Sequence, residues 1–456
     1  MSIGFIISLL FVALVVALLV KKLNPIAVLL FAGLAMLVVS YSLGLQGAKL
    51  KQPTGLQAFD YIQYLIESLI DTNAGVGLVI MIISGFVAYM DKIGASDVLA
   101  ALAMRPLSLF KKHPYVLASL VLPIGQFLFI SIPSAAGLAL LLMATVYPIM
   151  IGLGVSRLSA VALITATTSL GIGPASAIAL SAAGVIEMDI SLFFFKYQIP
   201  LAAIISVVLT VSYYFVNQYF DRRQAGEPAH LLAEAKKETK AVVAPKIYAV
   251  LPIMPLVILL LFSSFFQFFS FPVKVDTNIA MLLGLFVALV FELVRTRNLQ
   301  AVFKSLDVFW NGMGDIFKSV VTLIVAADIF SKGLISLGFI DGLLVMAQQV
   351  GLQAVGIGIL MTVMIFLASI LMGSGNAAFF AFGPLIPKIA APLAASSVSM
   401  ILPMAFAASM GRTVSPIAGV LVAAAALAKV PPFEVVKRNL IPFGIALIVM
   451  LAINFL

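Results

Sequence analysis

The chain has 456 residues, 63% of them hydrophobic and 10% charged, with a mean hydropathy of +1.20. Soluble domains are nearer half apolar and a quarter charged, so a soluble fold is excluded and a polytopic all-α membrane protein is indicated. The apolar runs are continuous rather than alternating every second residue, which excludes a β-barrel, and the net charge of +9 reads as topology-setting loop charge rather than a nucleic-acid surface.

A bilayer core needs roughly 20 apolar residues per helix. Two full spans are predicted first, over 2–20 and 24–44. The opening stretch lacks a basic flank and a small-residue cleavage site, so it reads as a retained span. An amphipathic segment at 55–72 carries Asp60, Glu67 and Asp71, and a span follows at 76–92. The apolar segment 114–150 is too long for one helix and is interrupted at Ser131-Ile132-Pro133-Ser134, so a re-entrant hairpin is predicted. The next span, 159–186, holds "TATTSLGIGPAS" in its middle and should be broken there. A span at 198–217 leads to a polar stretch, 218–246, which reads as a solvated linker.

The second half runs in parallel. Spans are predicted at 247–265 and 277–293, then an amphipathic segment at 298–316 with Lys304 and the one tryptophan, Trp310, then a span at 318–335 containing Asp328. A second hairpin at 353–388 is interrupted by Gly373-Ser374-Gly375-Asn376. A broken span at 399–424 contains "SMGRTVSP", and the last span is 439–456.

Charge supports this layout. With Lys21 and Lys22 inside and each hairpin returning to its own side, the inside loops hold 20 Lys and Arg and the outside segments six. That is the bias of the positive-inside rule, and it places both termini outside. The halves also match at a shift of 242 to 244 residues, pairing Phe59 with Phe303, Gly94 with Gly338, Asp97 with Asp341, Pro174 with Pro416 and, at the same shift, Pro200 with Pro442. Each half has five spans and one hairpin, and five is odd. Two inverted-topology repeats are therefore predicted, 1–217 and 247–456, joined by the linker 218–246, with the hairpin tips meeting near the midplane.

Glycine, hydroxyl residues and proline at mid-membrane free backbone groups that lipid cannot satisfy, so such breaks belong in a wet or protein-lined cavity. Half-helix N-termini suit a carboxylate; C-termini and freed carbonyls suit a cation. The candidate substrate-binding residues are Ser134, Thr167, Thr168, Ser374, Gly375, Asn376, Arg412, Thr413 and Ser415. Candidates for a coupling cation, H⁺ or Na⁺, are Ser131, Ser169, Gly171, Gly373 and Asp328. Arg412 is a basic residue well inside a span. It needs a partner: a substrate carboxylate, Asp328 or backbone carbonyls. There is no cysteine, and His113 and His230 lie in polar loops, so thiolate chemistry, a zinc-protease H-E-x-x-H site and a histidine-assisted serine nucleophile are not expected. An enzyme is not predicted, and no cofactor is expected.

At "GFVAYMDKIGASDVL" (85–99), "GLALLLMATVYPIM" (137–150), "GSGNAAFFAF" (373–382) and "SMGRTVSPIAGVLVAAAALAKVPPFEVVKR" (409–438) the sequence resembles the anaerobic C4-dicarboxylate carriers of the Dcu C type, over nearly the whole chain. The resemblance implies the ion-transporter superfamily. It implies a mobile transport domain, a scaffold forming a homodimer, elevator motion in a bacterial inner membrane, and succinate- or fumarate-type substrates moved with cations or by exchange. After Pro174 the chain departs from that pattern, with no acid before Glu187. Another small carboxylate, an amino acid, or cation/proton antiport remain as alternatives.

Overall fold

The computed structural model describes residues 2–45, 50–110, 112–223, 244–262, 273, 275–349 and 353–455. Among these, every regular element is helical, and ten helical segments are long and apolar enough to cross a membrane. Composition dictates this outcome, because a backbone in hydrocarbon must satisfy its N–H and C=O groups internally.

The halves repeat the same element order. Gln57–Thr72 runs through a π-helical turn, Asn73–Gly77, into Leu78–Lys92; Leu299–Ile316 runs through Phe317–Val321 into Thr322–Ser336. The amphipathic segments are thus continuous with the spans after them. After each span the chain turns at a glycine, Gly94 or Gly338, both at φ +77°, where a side chain would be strained. Asp97 and Asp341 then stand in the first turns of Ala95–Ala103 and Phe339–Gln349, where a carboxylate suits the helix dipole.

Both predicted hairpin segments are interrupted where expected. Pro114–Ser131 is followed by Ala135–Thr145, and Ala354–Met372 by Gly375–Phe382. With its continuation to Gly152, the second arm of the first hairpin is as long as the first arm, longer than its sequence suggested. The chain re-initiates at Tyr147 with Pro148 in the first turn, so the arm is two helices. The broken spans resolve into Arg157–Ala166 with Ala177–Val185, and Ser397–Thr413 with Gly419–Leu427. In the predicted span 247–265, a 3₁₀ turn, Lys246–Val250, precedes a helix, Met254–Leu261; residues 263–265 lie outside the described set.

Three extensive packing contacts join elements of different halves: Pro25–Ser42 with Thr322–Ser336, Leu78–Lys92 with Leu299–Ile316, and Ile199–Arg223 with Pro432–Phe455; within the second half, Ala354–Met372 packs as extensively on Ser397–Thr413. Small residues let these backbones approach, as membrane helices require. A Cβ at Gly33 would lie 2.6 Å from the backbone of Ile329 and Phe330.

One polar cluster was not visible as such in the sequence. Ile199–Arg223 extends six residues into the stretch read as linker, and residues 224–243 are outside the described set. On that extension the Asp221 side chain, only 6% exposed, pairs with the buried Arg438 at 2.5 Å. Asp221 also accepts from Ser156 Oγ at 2.7 Å, Ser159 Oγ at 2.9 Å and the Tyr115 hydroxyl at 3.1 Å. Four helices are tied at one end by this carboxylate.

Candidate functional site

The interruptions meet. A cavity of about 480 Å³ is lined by Pro133 and Ser134 of the first hairpin, Gly373 to Asn376 of the second, Gly171 to Ile178 in part from the first break, and Ser409, Arg412, Gly419 and Val420 around the second break. That volume lies within the range of small-molecule sites, roughly 300–1,000 Å³. A further part of the lining is apolar apart from Ser84: Ile80, Ile83 and Val87 from Leu78–Lys92, with Ile316 and Val320.

Four half-helices begin at this cavity. Ser134 Oγ accepts from the Gly137 N–H at 3.1 Å, Ser374 Oγ from Ala377 at 3.2 Å, and Ser176 Oγ from Ala179 at 3.4 Å. Each serine satisfies the third N–H of its helix and leaves the first two, at the cavity wall, without an intrahelical acceptor. The fourth start, at Ala418, has no side-chain cap. The partial positive ends of four helices therefore converge on one space.

Arg412 adds the full charge. Its Nη2 donates to the Thr168 carbonyl at 2.6 Å and, at 3.3 Å, to Thr168 Oγ1. Its other guanidinium nitrogens make no bond to a described protein group, and Asp328 does not pair with it. Asp328 bonds instead to Lys332, one turn along the same helix, at 2.7 Å. No acidic side chain lines the cavity among the described residues.

Of the sequence candidates, Ser134, Gly171, Gly373, Ser374, Gly375, Asn376 and Arg412 are brought together at the cavity wall. The others stand behind it. Thr167, Thr168 and Thr413 return their hydroxyls to carbonyls three or four residues back. Ser415 Oγ donates to the Ile370 carbonyl at 2.6 Å, satisfying the frayed end of the hairpin helix. Ser131 faces a smaller void beyond Pro133, Ser169 is buried with its hydroxyl unpartnered, and Asp328 is on a different helix.

Sequence reasoning missed the residues that keep the breaks open. Gln198 Oε1 accepts from the Gly173 N–H at 3.1 Å. Asn439 Nδ2 donates to the Thr413 carbonyl at 2.9 Å, and its oxygen accepts from the Tyr213 hydroxyl at 2.8 Å. Both amides are fully buried just before the paired prolines Pro200 and Pro442. A lone amide two or three residues before each of the paired prolines was the available signal. Ser176, which donates to the Gly171 carbonyl at 2.6 Å while capping its helix, and Ser409 were also overlooked as individuals.

Interrupted helices whose polar ends enclose a cavity inside a bundle of spanning length are the architecture of a secondary membrane transporter. The chain belongs to the DcuC family, the C4-dicarboxylate anaerobic carriers, whose profile matches residues 3–456. It is 32% identical over 433 residues to the anaerobic C4-dicarboxylate transporter DcuC of Escherichia coli K12, covering 95% of this chain and 92% of the relative. It is 33% identical over 440 residues to the probable anaerobic C4-dicarboxylate transporter DcuC of Vibrio cholerae, covering 95% and 93%. Among solved structures the fold is similar to the YdaH transporter of Alcanivorax borkumensis (TM-score 0.62, 17% identity, 95% of this chain and 98% of that one). It is also similar to MtrF of Neisseria gonorrhoeae, described as illuminating a class of antimetabolite efflux pumps (TM-score 0.61, 14% identity, 95% and 94%). The chain is thus a multi-pass membrane transporter and not an enzyme.

Proposed function

We propose that this protein carries C4-dicarboxylates of the succinate and fumarate type across the bacterial inner membrane, with cation coupling or by exchange. The observation that carries the reading is the pairing of one guanidinium with four helix N-termini around a cavity whose described lining holds no acid. One carboxylate takes the fork of Arg412; the second takes the N–H groups of a half-helix. The names of the relatives agree with that chemistry. An amino acid fits less well, because its ammonium would find no carboxylate among the described lining residues.

In the same reading, 1–217 and 247–456 are inverted repeats, the hairpins are re-entrant, and the termini are periplasmic. The cavity suggests how cargo moves. Its polar groups lie on hairpin tips and breaks, while the wall contributed by Leu78–Lys92, Ile316 and Val320 is apolar except at Ser84. A transport domain holding all the polar contacts can slide along such a wall without breaking hydrogen bonds to it, which is an elevator motion against a homodimeric scaffold.

The test is counterflow in proteoliposomes with labelled succinate, challenged with fumarate, malate, lactate and amino acids, with Na⁺ and pH gradients imposed separately. Succinate and fumarate should compete with the label and lactate should not. If no dicarboxylate exchanges with the label, the reading fails.

A further inference from the structure

We propose that Ser409 is a substrate-contacting residue: its hydroxyl donates a hydrogen bond to the carboxylate held by Arg412. The proposal rests on the carboxylate-carrying reading above.

Ser409 lies in the last turn but one of Ser397–Thr413, three residues before Arg412, so the two side chains share a helix face. It is only 2% exposed, yet it lines the cavity. A hydroxyl inside a helix ordinarily bonds back to a carbonyl one turn earlier. Thr165, Thr167, Thr362 and Thr413 all do so here. Ser409 does not; nor do Ser331 and Ser369, but these lie off the cavity, whereas Ser409 lines it.

The surroundings hold that hydroxyl where a ligand would meet it. A Cβ at Gly171 would collide with Ser409 Oγ, so the first break passes directly against it. A Cβ at Gly375 would lie 2.5 Å from the Ala408 carbonyl and 3.4 Å from the Ser409 nitrogen, so the second hairpin tip presses on the same turn. Arg412 reaches Thr168, three residues before Gly171, so both side chains address one stretch of the first break. Ser409 thus stands where both hairpin tip and break converge on the arginine. The hydroxyl therefore has a hydrogen to offer to the cavity, and a carboxylate oxygen on Arg412 is the acceptor this site supplies when loaded.

The test compares wild type, Ser409→Ala and Ser409→Cys in proteoliposomes, measuring labelled-succinate counterflow against succinate concentration, together with the thermal midpoint without ligand. Ser409→Ala should raise the half-saturating concentration about tenfold, as expected for one hydrogen bond to a charged group, with the maximal rate within about twofold and the unliganded midpoint unchanged. Ser409→Cys, a weak donor of similar size, should fall between. A half-saturating concentration within about twofold of wild type in Ser409→Ala overturns the proposal. If the alanine variant does not assemble, the cysteine variant decides by the same criterion. Absence of counterflow in wild type would instead bring down the dicarboxylate reading, and this proposal with it.

Discussion

Arg412→Ala is the most informative single change. Nη2 is committed to the Thr168 carbonyl at 2.6 Å, which leaves the Nε and Nη1 side of the fork for a ligand. Two charge-assisted bonds to a carboxylate in a largely desolvated site are together worth about 3–5 kcal/mol on truncation. At about 1.4 kcal/mol per factor of ten, affinity should fall on the order of 10²–10³-fold. The same truncation frees the Thr168 carbonyl, costing about 1–3 kcal/mol of stability. The two effects separate in two assays. Succinate should raise the thermal midpoint of wild type and not of the variant, while the unliganded midpoint drops by only a few degrees. Arg412→Lys keeps the charge and loses the fork, so it should recover part of the affinity at best. Folded Arg412→Ala with wild-type succinate stabilisation and counterflow would refute the reasoning, because nothing else lining the described cavity carries a full positive charge.

Gly171→Ala places a side chain at φ +60° and against Ser409, so counterflow should be lost even where protein reaches the membrane. Arg438→Leu leaves the Asp221 carboxylate buried without its cation, and the midpoint should fall by the equivalent of about 3–5 kcal/mol; Asp221→Leu with Arg438→Leu should recover much of it. Asn439→Ala unsatisfies the Thr413 carbonyl and the Tyr213 hydroxyl, and thermal melts should show a loss of about 1–3 kcal/mol, with slower transport. Asp328→Asn should keep the wild-type pH profile of uptake, because Asp328 bonds Lys332 on its own helix, away from the cavity; a shifted profile would make it a proton carrier after all.

The breaks were legible because Pro174, Pro416 and Gly-Ser-Gly-Asn violate the one rule that membrane helices obey locally, continuous intrahelical bonding. Gly94 and Gly338 were legible as a pair because the repeat carries the same left-handed turn in both halves. The polar second tier was not. Whether Thr413 offers its side chain to a ligand or its carbonyl to Asn439 depends on a residue 26 positions away. Asp221 looked like one more charge in a solvated linker, and only folding brings it to Tyr115, Ser156, Ser159 and Arg438. Ser409 looked like one small residue among many suited to helix packing. Its significance lies in a bond it does not make.

Arg412 bears the one full charge among the described lining residues, and that has an electrical consequence. The Thr168 carbonyl is a dipole and cancels no charge, so the empty site carries +1, and a bound dianion turns it to −1. A membrane potential therefore pulls the empty and the loaded forms in opposite directions, by about 2.3 kcal/mol per elementary charge per 100 mV if the full field is crossed. With the interior negative, that bias by itself drives cargo outward. Net uptake would need accompanying monovalent cations, and two of them would return the loaded form to the charge of the empty one.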